Sequence, residues 1–148
     1  MDTLDLILAG APTSGVYRVA TRSSAQEITR LAARRGWHGG YLSGRSIVDK
    51  ASFLHASARA MTFPAYFGRN WDAFEECLTD LTWLHSAGFL LLYDEPAHFA
   101  SHSPSEWQTA LAILQASADA WRQKQKPFYV LLRKTHGAAP EISLVVTR

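Results

Sequence analysis

Four carboxylates lie close together at Asp72, Glu75, Glu76 and Asp80. Asp72, Glu76 and Asp80 stand at i, i+4 and i+8, so a helix would carry them along one exposed ridge, with Glu75 and Thr79 beside it. Trp71, Phe74, Cys77, Leu78 and Leu81 recur at helical spacing and supply the buried stripe that such a helix needs. Asn70, just before them, is a good N-cap. Like charges four apart destabilise a helix by roughly 0.2–0.5 kcal/mol a pair. Asp72 in the first turn regains something from the helix dipole, whereas Asp80 in the last turn does not. A ridge that works against its own helix is suited to a cationic partner. It suits proton transfer poorly, because Asp72 and Glu76 on adjacent exposed turns would both stay ionised.

A second constellation points to different chemistry. Gly39-Gly40-Tyr41-Leu42-Ser43-Gly44-Arg45-Ser46 has the spacing of a phosphate-binding loop, except that Arg45 stands where Lys belongs. Phe89-Leu90-Leu91-Leu92-Tyr93-Asp94-Glu95 reads as the apolar strand ending in a magnesium-binding Asp that nucleotide hydrolases use. The alternative reading is thus a phosphate-loop-like nucleotide-binding enzyme. Against it, the planar fork of Arg does not replace a compact ammonium at the phosphates. Tyr41 and Leu42 are bulky for a loop that wraps phosphates, and the next helix cap is Asp49, too late for a helix starting at Ser46. The plainer alternative is a glycine-rich turn between strand and helix, with Phe89–Tyr93 an ordinary buried parallel strand. His98 and His102 are four apart but fall in a Pro/Ser-rich segment without a third ligand, so no metal or other cofactor is expected. Cys77 has apolar helical neighbours and reads as a buried structural thiol. No nucleophile elbow is present.

The elements that position these groups alternate between strand and helix. Val16–Ala20 reads as a strand, and Ser23 or Ser24 caps a helix running to Arg35, ended by Gly36. Trp37–Leu42 reads as a strand interrupted at Gly39-Gly40, and Asp49 caps a helix over 50–61. Residues 94–103 read as a loop. Pro104 starts a helix to about Gln125 with Ser103 as cap, and Ile142–Val146 is an edge strand or a tail. Phe89–Tyr93 and Phe128–Leu132 are continuous apolar runs, the mark of strands buried on both faces. The pattern implies an α/β fold of two or three layers. Its parallel sheet would have three strands, with room for a fourth from the N-terminal segment, packed with helices.

Composition narrows the function. The net charge of +2 is unevenly spread: residues 63–106 hold one basic residue, Arg69, against seven acids, a balance of −6 that leaves +8 on the remainder. Such asymmetry marks a charged face. The basic residues are dispersed and lack the aromatic interleaving of RNA-binding sheets, so no direct nucleic-acid contact is expected. No apolar run approaches the roughly 20 residues needed to span a bilayer, and no membrane association is expected. The single Cys77 excludes an internal disulfide, and the start at Met1-Asp2-Thr3 is acidic where a secretory signal is basic. Cytoplasmic residence is the expectation. Nothing specifies an oligomeric state.

Residues 63–80 carry a more specific signal. Pro64, the aromatic pair Tyr66-Phe67, Gly68-x-Asn70-x-Asp72-Ala73, Phe74, Glu76 and Cys77-Leu78-Thr79 follow one another in an unusual order. This run resembles the barstar family, intracellular inhibitors of a secreted bacterial ribonuclease. The resemblance extends more weakly over 37–134 and finds no counterpart for 1–36. It sets a barstar-like core at 37–134 within the single domain over 1–148 that the length allows, with the strand and helix read above as an extension at 1–36 and a tail or edge strand at 135–148. It also implies that the chain is not an enzyme. Its partner would be a bacterial ribonuclease or ribonuclease-type toxin domain, blocked by the acidic loop-helix face for self-protection or immunity. Tyr66 falls on the loop tyrosine that packs against the enzyme, Asp72 on an acidic contact, and Glu76 on the acid that enters the phosphate site. Gly68 and Asn70 match the loop-to-helix junction; Glu75 and Asp80 complete the face. The other reading within the family is a barstar-like protein-binding module that inhibits no nuclease. There are departures from the pattern. Glu76 is one methylene longer than the family's Asp, Glu75 replaces a tryptophan, Arg69 stands where the family has an acid, and a later acid has only Asp119 as a counterpart.

Overall fold

The computed structural model describes residues 5, 7 and 12–146. Strand β1 (Gly15–Ala20) leads into α1 (Ala25–Arg34). A capping box starts α1: the Ser24 hydroxyl accepts from the Glu27 N–H and the Glu27 carboxylate accepts from the Ser24 N–H. Gly36, at φ +76°, takes the left-handed turn beyond its end. There follow β2 (Trp37–Ser43), a short 3₁₀ turn (Gly44–Ser46), α2 (Lys50–Ala60), α3 (Trp71–Asp80), a second 3₁₀ turn (Thr82–Leu84) and β3 (Gly88–Asp94). The chain continues through α4 (Ala97–His102), α5 (Pro104–Gln123), β4 (Phe128–Arg133) and β5 (Leu144–Val146).

The sheet is parallel throughout and has five strands in the order β2-β3-β4-β1-β5. The sequence pattern implies three strands, with room for a fourth from the N-terminal segment. The N-terminal segment does supply one: Gly15 to Arg18 pair with Tyr129 to Leu132. The fifth is the short β5, whose Leu144 pairs with Arg18.

Helices cover both faces, giving three layers. On one face Phe89, Leu91, Tyr93, Phe128, Val130 and Leu132 pack against Phe53 of α2, Phe74 and Leu78 of α3, and Trp107, Leu111 and Trp121 of α5. On the other, Leu90, Leu92, Tyr129 and Leu131 meet Ile28 and Ala32 of α1, together with Ile7. Every residue of β3 and β4 is therefore buried, which is why these strands read as unbroken apolar runs.

Three local expectations change. Segment 94–103 is not all loop, since α4 occupies Ala97–His102. Ser103 holds the N-cap position of α5 but makes no side-chain capping bond; its hydroxyl is turned to the Val48 carbonyl, to which it donates. The glycine pair does not interrupt β2. A Cβ on Gly40 would come within 2.8 Å of the Ala60 carbonyl oxygen, so glycine there admits the end of α2 against the strand. Among the described residues, no helix is long and apolar enough to cross a membrane.

Candidate partner-binding face

The loop between α2 and α3 is held at both ends. Helix α2 closes with a Schellman pattern: the Phe63 N–H donates to the Ala58 carbonyl and the Thr62 N–H to the Arg59 carbonyl, with Thr62 at φ 52°. Phe63 then stacks edge-on against Phe67 and Trp83, centroids 5.0 and 6.0 Å apart, and lies 6.1 Å from Phe74. The Trp83 indole donates to the Met61 carbonyl at 3.0 Å. At the far end Arg69 adopts φ 52°, and Asn70 caps α3 by accepting from the Ala73 N–H at 2.8 Å. The Asn70 amide also donates to the Gly68 carbonyl at 3.4 Å, linking both junction residues to the cap. The Trp71 indole donates to Glu106 at 2.8 Å and ties the first turn of α3 to α5. Tyr66 projects from this braced loop and is 77% exposed.

Helix α3 divides as its periodicity predicts. Phe74, Cys77, Leu78 and Leu81 are buried and Trp71 is half-buried. Asp72, Glu75, Glu76 and Asp80 are exposed. Among the described residues none of these four is ion-paired. Tyr66, Gly68 and Asn70 are exposed too, so the structure brings all seven expected contact residues onto one loop and helix. Burial, and then the neighbouring Asp80 and Glu76, push the Cys77 thiol up, away from the thiolate that a nucleophile requires. Asp119 lies on α5, paired with Arg122 at 3.3 Å.

A groove of about 420 Å³ flanks the loop and is lined by His55, Arg59, Phe63, Phe67 and Arg69 among others. Sequence reading marked Arg69 but missed its union with Arg59 and His55, which come from another helix. The acidic face thus has a cationic border.

The rival phosphate-loop stretch has a different geometry. Gly39 to Ser43 are ladder residues of β2, paired with Leu90 to Asp94. Gly44 sits where a Cβ would collide with the Glu95 carbonyl oxygen. Arg45 pairs with Glu95 at 3.1 Å, and α2 begins only after Asp49, which caps it. Asp94 is held by Arg133, whose Nε and Nη2 reach its two carboxylate oxygens at 2.7 and 2.8 Å, and by the Tyr41 hydroxyl at 2.8 Å. His98 and His102 lie one turn apart on α4, with His102 Nδ1 bonded to the His98 carbonyl.

Comparison with solved structures gives matches to the Aeropyrum pernix ORC2 protein in complexes described as ADPNP-ADP (TM-score 0.63, 13% identity) and to Cdc6p from Pyrobaculum aerophilum (0.59, 13%). Each covers 97% of this chain, but the chain spans only 44% and 43% of theirs. At this identity the likeness is one of fold. No curated protein matches the chain. The family described as Barstar (barnase inhibitor) matches residues 37–133, the stretch from β2 to the end of β4 that contains the braced loop and the acidic helix. With well over half its length matched, the chain belongs to the barstar family.

Proposed function

We propose that this protein inhibits a bacterial ribonuclease by occlusion and is not itself an enzyme. A ribonuclease active site is cationic because it binds and stabilises a phosphodiester. A carboxylate set into that site imitates the phosphate and excludes the substrate. The observation that carries the reading is the ridge Asp72, Glu75, Glu76 and Asp80. It is exposed and has no internal ion-pair partner among the described residues, and it stands beside the protruding Tyr66 within the span of the family match. Glu76 enters the phosphate site, Asp72 contacts its rim, and Tyr66 packs on the enzyme surface. Opposed charge speeds the encounter, a rule worked out on the barnase–barstar pair itself and so no independent support here.

The departures from the family pattern bear on which ribonuclease is bound. Arg69 and the Arg59–His55 groove call for a carboxylate on the partner beside its cationic site, which favours a ribonuclease other than barnase. It is a ribonuclease or toxin domain against which the chain gives intracellular protection.

The test is titration of the protein into secreted ribonucleases of its source, and into barnase, while following cleavage of a fluorogenic RNA. Stoichiometric loss of activity that Asp72→Ala/Glu76→Ala abolishes is the expected result. Undiminished cleavage by every enzyme at every ratio would sink the proposal, leaving a barstar-like module that binds some other protein.

A further inference from the structure

A second charged region lies away from the acidic helix, at the carboxyl ends of β1 and β4. A cleft of about 510 Å³ opens there, lined by Arg18, Arg22, Arg133 and Lys134 with the hydroxyls of Thr21 and Thr135. No carboxylate lines it among the described residues. Arg133 is committed to Asp94 and to the Ser23 carbonyl, so the free charge belongs to Arg18, Arg22 and Lys134. None of these three is ion-paired among the described residues. Arg18 is also held in place: its Nε donates to the Ile142 carbonyl at 2.7 Å, which leaves the terminal amino groups of the guanidinium to reach a ligand. Leu144, 53% exposed, forms an apolar wall of the same cleft.

Position adds to composition. In a parallel sheet, ligands bind beyond the carboxyl ends of the strands, where successive connections leave for opposite faces. Here the connection after β1 carries α1 onto one face and that after β3 carries α5 onto the other. The end of β4 lies between them. The volume is that of an ordinary small-molecule site. Three free cations with two hydroxyls match an anion of two or three charges, since guanidinium forks bind phosphate oxygens in pairs.

We propose that this cleft binds a small diphosphate-bearing molecule, its phosphates on Arg18, Arg22 and Lys134 and any organic portion against Leu144. The proposal is independent of ribonuclease inhibition. Isothermal titration of the full chain with pyrophosphate and with ADP tests it. The expected result is saturable binding that weakens as salt is raised. In Arg22→Glu/Lys134→Glu the affinity should fall at least about tenfold, and in Asp72→Ala/Glu76→Ala it should be unchanged. Arg22 and Lys134 are exposed, so the variant should fold; Arg22→Gln/Lys134→Gln is the milder form should the reversal melt early. Equal affinity for the two ligands would support recognition of the diphosphate alone, and tighter ADP binding would support recognition of the organic part as well. No saturable binding of either ligand by the wild-type chain, or equal binding by the charge-altered variants, would overturn the proposal.

Discussion

Asp94 and the carboxylates of α3 are the same chemical group in opposite situations. Asp94 is 4% exposed at the end of β3 and receives a two-pronged bond from Arg133 and a third bond from Tyr41. Asp72, Glu75, Glu76 and Asp80 are solvated, and no intramolecular cation is paired with them among the described residues. A buried charge has to be matched within the fold, because desolvation is too costly otherwise. An exposed charge has no such requirement, so its arrangement is free to serve something outside the molecule. The contrast separates a carboxylate that holds the sheet together from carboxylates available to a partner.

The first way to break this comparison is to remove Asp94. Asp94→Ala leaves Arg133 buried without its counter-ion and should destabilise the fold by about 3–5 kcal/mol in urea unfolding. The fraction that remains folded should still bind the partner with unchanged affinity. Acid offers a gentler probe. Burial pushes the Asp94 carboxyl up, but the bonds from Arg133 and Tyr41 outweigh it and hold the group below its ordinary value of 3.8. A folded value below the unfolded one stabilises the protein fully above the unfolded value, and that contribution is lost as pH falls through the folded value. Stability should therefore drop as pH is lowered below about 4, and Asp94→Asn should flatten that part of the curve. Equal acid sensitivity in the variant would assign the loss to other carboxylates.

The opposite result is expected on α3. Asp72→Ala/Glu76→Ala relieves two like-charge pairs, Asp72–Glu76 and Glu76–Asp80, at the loss of the favourable first-turn charge of Asp72, so stability should stay within a few tenths of a kcal/mol of the wild type, rising if anything. Binding to the cognate ribonuclease should weaken by about 2 kcal/mol or more, roughly thirtyfold. Loss of fold in this variant would erase the distinction between the two regions.

This contrast was half legible in the sequence. The α3 ridge could be read because helix period, cap and charge spacing all lie within one short segment, and local rules act at that range. Asp94 ends one apolar run and Arg133 another. Their pairing depends on β3 and β4 being neighbours in a register that sets Asp94 opposite Arg133, and such non-local pairing has no local signature. The same holds for β1, placed in the sheet by residues more than a hundred positions away. Helix α4 escaped because its six residues are too few to show a period. Asn70 lies at the boundary of what could be read: the cap was visible, whereas the bond to Gly68 that makes it part of the loop was not. Asn70→Ala should cost about 1 kcal/mol of stability. It should weaken partner binding in addition, because the loop carrying Tyr66 loses its anchor. Asn70→Asp should restore the stability, since aspartate caps as well as asparagine.

The smallest expected effect concerns the stretch that looked most like an enzyme. Arg45→Lys completes the phosphate-loop spacing on paper. In the folded chain residues 39–43 are hydrogen-bonded into β2 against β3, and the Gly44 backbone is pressed against the carbonyls of Asp94 and Glu95. No loop is left to wrap a phosphate, and Asp94 is already engaged by Arg133 and Tyr41 rather than open to magnesium. The Arg45 side chain is 80% exposed, so its bond to Glu95 is a surface ion pair of small worth. Arg45→Lys should therefore change stability by less than about 0.5 kcal/mol. It should add no nucleotide affinity to whatever the cleft at Arg18, Arg22 and Lys134 provides. A magnesium-dependent gain in ATP binding, measured by thermal shift, would mean that β2 can open its ladder. The carboxylate at the end of β3 would then have to be counted among the groups that face outward.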